Sequence, residues 1–196
     1  MPFFHIGINE TGTEEWTDLP TIWIGAPGAG KSARFFAHSC LKCKETGPCM
    51  IIDAGGQTDI ITGKRLGDGQ LPMAEREELN AHLIEEAIFM TDRSVPILID
   101  EPRGISGYAE KWDKQICELI LENRPVGLTY QPIGLLNCAV RHVLHKCVMV
   151  CIPSGDKLSA DLLHEVSGRP TTSSIPKRHC LVSLPAWKEH SKGTMK

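Results

Sequence analysis

Eight consecutive residues, Gly25-Ala26-Pro27-Gly28-Ala29-Gly30-Lys31-Ser32, follow the pattern G-x-x-x-x-G-K-[ST] without a mismatch. Gly25, Gly28 and Gly30 let the backbone wrap close around a phosphate, because no Cβ intervenes and positive φ is allowed. The N–H groups of such a loop, and of a helical turn that follows it, point at an anion with the helix dipole behind them. In this arrangement Lys31 reaches the β- and γ-phosphates of a nucleoside triphosphate, and Ser32 offers its hydroxyl to Mg2+. The pattern needs a strand before it and a helix after it. Thr21-Ile22-Trp23-Ile24 is a β-favouring run, and Ala33 to Lys42 contains neither Gly nor Pro and can continue as a helix.

A second group of chemically able residues closes the run Val95-Pro96-Ile97-Leu98-Ile99-Asp100-Glu101. Continuous apolarity suits a strand buried on both faces, hence the middle of a parallel sheet. Pro96 is tolerated at its start. Asp100 at the end of such a strand holds the hydration shell of Mg2+, and Glu101 orients or deprotonates an attacking water. A third group is Gln131, at the end of Val126-Gly127-Leu128-Thr129-Tyr130-Gln131 and followed by Pro132. Ligands of open α/β sheets sit at the carboxyl ends of strands. An amide there donates to a phosphate oxygen and accepts from a water.

His38, Cys40, Cys43 and Cys49 supply enough donors for one tetrahedral zinc. His38 and Cys40 nevertheless point to different sides of a helix, so free thiols are the expectation. Asp53, closing the apolar run Cys49 to Asp53, is equally open to meeting a nucleotide and to capping the next segment.

The elements that position these groups read as one α/β domain. The chain has 196 residues, 41% hydrophobic and 23% charged, with a formal net charge of -3. These are ordinary globular values, and the charge gives no overall basic signature for nucleic acid. DNA contact would have to come from local loops or from a ring of subunits. No apolar run approaches the ~20 residues of a membrane span. The N-terminus lacks the look of a signal peptide, so a cytoplasmic protein with reduced cysteines is expected. Residues 1–20 read as a lead-in, with a loose edge strand around Phe3 to Ile8. The expected domain covers 21–187, with a polar tail over 188–196. Helices are expected over 73–91, 112–122 and about 157–166, with a short helix or ordered connection over 133–143. Strands are expected at 49–53, 95–101, 126–131, 146–152 and 180–184. The stretches 60–72 and 102–110 read as exposed loops.

The combined order of the phosphate loop, Asp100-Glu101 and Gln131-Pro132 resembles the FtsK–HerA superfamily of DNA-pumping ATPases, over roughly residues 21–185. The compactness of the chain resembles the genome-packaging ATPases of tailless, membrane-containing double-stranded DNA viruses. The resemblance implies a P-loop NTPase fold, a RecA/FtsK-like three-layer α/β/α sandwich around a mostly parallel sheet. It implies ATP and Mg2+ as cofactors and double-stranded DNA as substrate. Its partners would be further copies in a pentameric or hexameric ring and the capsid or membrane vertex proteins. The protein would work in the host cytoplasm or on the virion. It also implies that Gln131 senses the γ-phosphate and that a neighbouring subunit donates a cation to the transition state. Arg124 is the first candidate for that cation, followed by Lys146, Arg141 and Arg103. The family commonly has an arginine between the glutamine and the proline, and here there is none. Competing readings are a Zot-like filamentous-phage assembly ATPase, which would carry a membrane segment, and a P-loop kinase with a small acceptor. The kinase would need an arginine-rich lid, for which only Arg169, Lys177 and Arg178 are at hand. A non-enzymatic nucleotide switch would not need Glu101.

Overall fold

The computed structural model describes residues 1–9, 11–53, 82–90, 92–102, 110–132, 135, 138–152, 161 and 181–183. It opens with an antiparallel hairpin of β1 (Phe4–Ile8) and β2 (Glu14–Thr17). Strand β3 (Thr21–Ile24) leads into the glycine loop. A π-helical turn (Lys31–Phe36) comes next and runs on as α1 (Ala37–Thr46), which Gly47 ends. After it come β4 (Met50–Asp53), a helix α2 over residues 82–89, and β5 (Ile97–Asp100). Helix α3 (Glu110–Leu121) and β6 (Val126–Tyr130) lead to a 3-10 helix (Ala139–Lys146), β7 (Val148–Cys151) and β8 (Leu181–Ser183).

Six strands form the main sheet in the order β4-β5-β6-β3-β7-β8. The first five are mutually parallel, and β8 runs antiparallel on the β7 edge. Strands β3, β5, β6 and β7 are buried at every position, as parallel strands covered on both faces must be. Alternate residues feed two cores. Trp23, Ile51, Leu98 and Val150 face the hairpin and α1, meeting Phe4, Ile6, Phe36 and Cys40. On the other face, Ile22, Ile24, Ile99 and Leu128 meet α2, α3 and the 3-10 helix through Ile84, Ile116, Ile120 and Val143. The result is an α/β arrangement whose parallel sheet is covered on both faces, as the apolar runs predict.

One glycine inside a strand has a packing reason. A Cβ on Gly127 would lie 2.8 Å from the Trp23 ring and 3.0 Å from Phe4. The missing side chain lets the Trp23 indole lie across β6. Phe4 then stacks edge-on against it, with ring centroids 6.0 Å apart, and the indole N–H donates to the His5 carbonyl at 2.9 Å. This fastens the hairpin to the sheet. Phe4 is fully buried, and β1 pairs with β2 instead of edging the main sheet.

The end of α3 shows how local chemistry sets the approach to β6. Asn123 takes the left-handed conformation at φ 55, its N–H donates to Ile120 O, and the Arg124 N–H donates to Leu119 O. These two bonds are those of a Schellman motif with Asn in the usual glycine place, and Pro125 prevents any continuation. Residues 73–81 of the helix expected over 73–91, the loops 60–72 and 103–109, nearly all of the helix expected over 157–166, and the tail 188–196 lie outside the described residues. Among the described residues no helix is long and apolar enough to cross a membrane.

Candidate active site

The strand order assembles the candidate residues. Strand β6 lies between β3, which carries the glycine loop, and β5, which carries the acids. All three are parallel, so the segments that leave their carboxyl ends emerge side by side. These are Gly25 to Ser32, Asp100-Glu101 and Gln131. The loop is tied to its neighbours by Gly25 N–H donating to Tyr130 O and by Ile152 N–H donating to Ile24 O. A Cβ on Gly25 would meet the Ala29 Cβ at 3.0 Å and the Ile152 carbonyl at 3.2 Å. Gly28 and Gly30 sit at φ 76 and 94, where an L side chain is strained. Pro27 and Gly28 are exposed, with Ala26, Ala29 and Gly30 partly so, and the loop is open to solvent from that side.

Lys31 is only 4% exposed. Its Nζ lies 3.0 Å from Oε1 of Glu101 and donates to the Ala26 carbonyl at 3.4 Å. Gln131 Nε2 donates to the other Glu101 oxygen, Oε2, at 2.8 Å. The acid is thus held by one residue from the glycine loop and one from the end of β6, while its side chain keeps 29% exposure. Glu101 adopts φ 46, a left-handed turn that costs a non-glycine residue about 1 kcal/mol or more. That turn carries the carboxylate off the strand line and toward Lys31.

Ser32 and Asp100 form the second half. The Ser32 hydroxyl lies 3.0 Å from Oδ1 and 3.2 Å from Oδ2 of Asp100, and Asp100 is almost fully buried. Octahedral Mg2+, with ligands at about 2.0–2.1 Å, spaces adjacent oxygens by about 3 Å. A hydroxyl and a carboxylate at this separation therefore fit that ion as neighbouring oxygen donors. Asp53, level with Asp100 in the register of β4 and β5, ends β4 at the same edge.

One participant escaped the sequence reading. Thr129, in β6, donates its hydroxyl to Asp100 Oδ1 and accepts the Glu101 N–H at 2.8 Å. In sequence it looks like any β-branched strand residue. The available signal was its spacing, two before Gln131 and hence on the same side of the strand.

Arg124 is the first candidate for a cation donated by a neighbouring subunit, a role that needs its guanidinium accessible. Instead the side chain is 3% exposed. Its Nη1 donates to the Ala87 carbonyl at 3.2 Å and its Nη2 to the Asp92 carbonyl at 3.4 Å. It precedes β6, at the amino end of the sheet, opposite the glycine loop. There it satisfies carbonyls at and beyond the end of α2, which a helix leaves unpaired. Lys146 also precedes its strand, and Arg141 lies half-buried in the 3-10 helix. Arg103 lies outside the described residues, as do Tyr108 and the side chain of Lys111.

The zinc alternative finds no support among the described residues. His38 is exposed and its ring lies 5.5 Å from that of His5, whereas Cys40 and Cys43 are buried. Burial, then the neighbouring Cys49, pushes the Cys43 thiol up to about 12. No group of three or more potential ligands suited to a metal occurs among the described residues, and the seven described cysteines are free thiols. A scan against protein-family models finds no match for this chain, and a search of curated proteins finds none either.

Proposed function

We propose that this chain is a P-loop ATPase that works as a ring of copies to translocate double-stranded DNA, in the packaging of a viral genome into a preformed capsid. The observation that carries the hydrolytic part is the joint grip of Lys31 and Gln131 on the two oxygens of Glu101. Phosphate binding alone would need neither a carboxylate beside the loop lysine nor an amide beside that carboxylate. The insertion of β6 between the loop strand and the acid strand supports the RecA/FtsK-like class, because it sets the Gln131 segment between the other two. The translocation part rests on the resemblance in motif order to the FtsK–HerA superfamily.

On this reading the backbone N–H groups from Gly28 to Ser32 cradle the phosphates. Lys31 leaves Glu101 to neutralise the β- and γ-phosphates, and Ser32 and Asp100 would hold Mg2+. When bound, the ion supplies charge neutralisation of the triphosphate. Glu101, freed from Lys31, orients the attacking water and takes its proton. Gln131 exchanges Glu101 for the γ-phosphate oxygen and so registers whether that group is present. With Arg124 committed to its own subunit, the cation donated by a neighbour is to be sought among Arg103, Arg141 and Lys146.

The test is the ATPase rate with and without double-stranded DNA, measured with the oligomeric state. A ring whose hydrolysis responds to DNA is the expected result. A monomer with DNA-indifferent turnover and a small phosphoryl acceptor would sink the translocase reading. DNA binding by the ring should also fall steeply with added salt and depend weakly on sequence, since the grip is on phosphates.

A further inference from the structure

Thr129 lies in β6, and solvent does not reach it. The β5–β6 ladder runs through Ile97↔Val126, Leu98↔Gly127 and Ile99↔Leu128. Beyond that point the Thr129 side chain links the two strands. A hydroxyl has one hydrogen to give. Here it goes to Asp100 Oδ1, so a lone pair faces the Glu101 N–H, 2.8 Å away. The same Oδ1 receives the Ser32 hydroxyl at 3.0 Å. One carboxylate oxygen is therefore fixed by two hydroxyls, and one of those hydroxyls also holds the next residue's backbone. That residue is the one at φ 46. The bond to its N–H helps to hold that turn against its own strain, beside the grip of Lys31 and Gln131 on its carboxylate.

We infer that Thr129 is a positioning residue, whose single hydroxyl sets both the Asp100 carboxylate against Ser32 and the Glu101 turn that aims its carboxylate at Lys31 and Gln131. This rests on the roles proposed above for Asp100 and Glu101. Valine has the same shape as threonine and makes neither bond. Serine makes both and lacks the methyl group. The two variants therefore separate positioning from packing.

The experiment uses the full-length chain as wild type, Thr129→Val and Thr129→Ser. Three quantities are read: ATP hydrolysis, the Mg2+ dependence of ATP binding, and amide hydrogen exchange at Glu101 without nucleotide. Thr129→Val should lower kcat by about 10–100-fold, the usual loss when a partner behind a metal ligand is removed, with KM near wild type. It should raise the Mg2+ concentration needed for tight ATP binding, leave binding in chelator unchanged, and speed exchange at Glu101. Thr129→Ser should restore all three. The inference is overturned if the valine variant matches wild type in Mg2+ dependence and in Glu101 exchange, or if serine is as damaging as valine. Should the valine variant fail to fold, Thr129→Ala is read against Thr129→Ser by the same measures. A wild-type chain that binds Mg2+ and ATP without turnover would end the hydrolase proposal, and the binding and exchange readouts would still decide the role of Thr129.

Discussion

Two cations are buried at opposite ends of one sheet, and they are held by different partners. Lys31 lies where the strands end, against the carboxylate of Glu101, whose side chain remains partly open to solvent. Arg124 lies where the strands begin, against the backbone carbonyls of Ala87 and Asp92. Neither burial nor charge distinguishes them, since they are 4% and 3% exposed. The partner does. A side-chain carboxylate can move away and let the lysine accept a phosphate in its place. Carbonyls at the end of a helix cannot move away without unwinding it. The first arrangement suits exchange, and the second suits staying put.

Substitutions should keep these two sites apart. Lys31→Ala should have the largest effect, lowering ATP turnover by about 10²–10³-fold or more, because a preorganised positive donor is lost from the phosphates. Melting temperature should change little, and a loss confined to stability would reverse the assignment. Glu101→Gln comes next. It should cut turnover by about 10²-fold or more, the range for removing a general base, while equilibrium binding shows ATP retained. Unchanged turnover would move the base elsewhere. Arg124→Ala should act in the other register. Leaving buried carbonyls unpaired costs about 1–3 kcal/mol, seen in urea unfolding, while turnover per folded molecule is kept. A variant of full stability and no turnover would return Arg124 to the neighbour's site.

Two smaller effects sharpen the picture on the hairpin face, far from either cation in role. Gly127→Ala puts a methyl group 2.8 Å from the Trp23 ring and should destabilise by about 1–3 kcal/mol through overpacking. Trp23 fluorescence would report the displaced ring. The smallest is a pH effect at His5. Burial first, then His38, holds its pKa below the ordinary 6.5, against weaker opposing pulls from Glu14 and the backbone at Arg34 and Gly7. An imidazole with a folded pKa below its unfolded one binds protons better in the unfolded chain. Its contribution is therefore flat above about 6.5 and turns destabilising as pH falls from there toward the folded value. His5→Phe should flatten that part of a stability–pH curve. If the slope persists, it belongs to other groups.

How far the sequence could be read depends on which forces are local. The glycine loop was legible because its φ values and its flanking strand and helix are dictated by eight residues and their immediate neighbours. Strands β3, β5, β6 and β7 were legible because burial on both faces demands unbroken apolar runs. Asp100, Glu101 and Gln131 were legible as strand ends. The order of the strands was not, since pairing joins segments far apart in the chain. Thr129 shares its side of the strand with Gln131, but its role was hidden for the same reason, because it depends on β6 lying beside β5. The surroundings of Arg124 were not legible, because sequence shows a cation near a turn and does not show that the end of another helix lies above it. The packing of the hairpin was not legible, because the space that admits Trp23 over Gly127 is created more than a hundred positions downstream.

The pairing of Lys31 with Glu101 carries one more consequence. A cradle of N–H groups around a bare lysine would be a standing trap for any stray anion. Here the lysine already has a counter-ion from the same chain, the Glu101 carboxylate. On the proposed reading, an incoming triphosphate displaces a resident competitor. A ligand that falls short of the γ-phosphate leaves that resident in place. The carboxylate would then act as a doorkeeper before it acts as a base, and its return would help to clear the spent nucleotide.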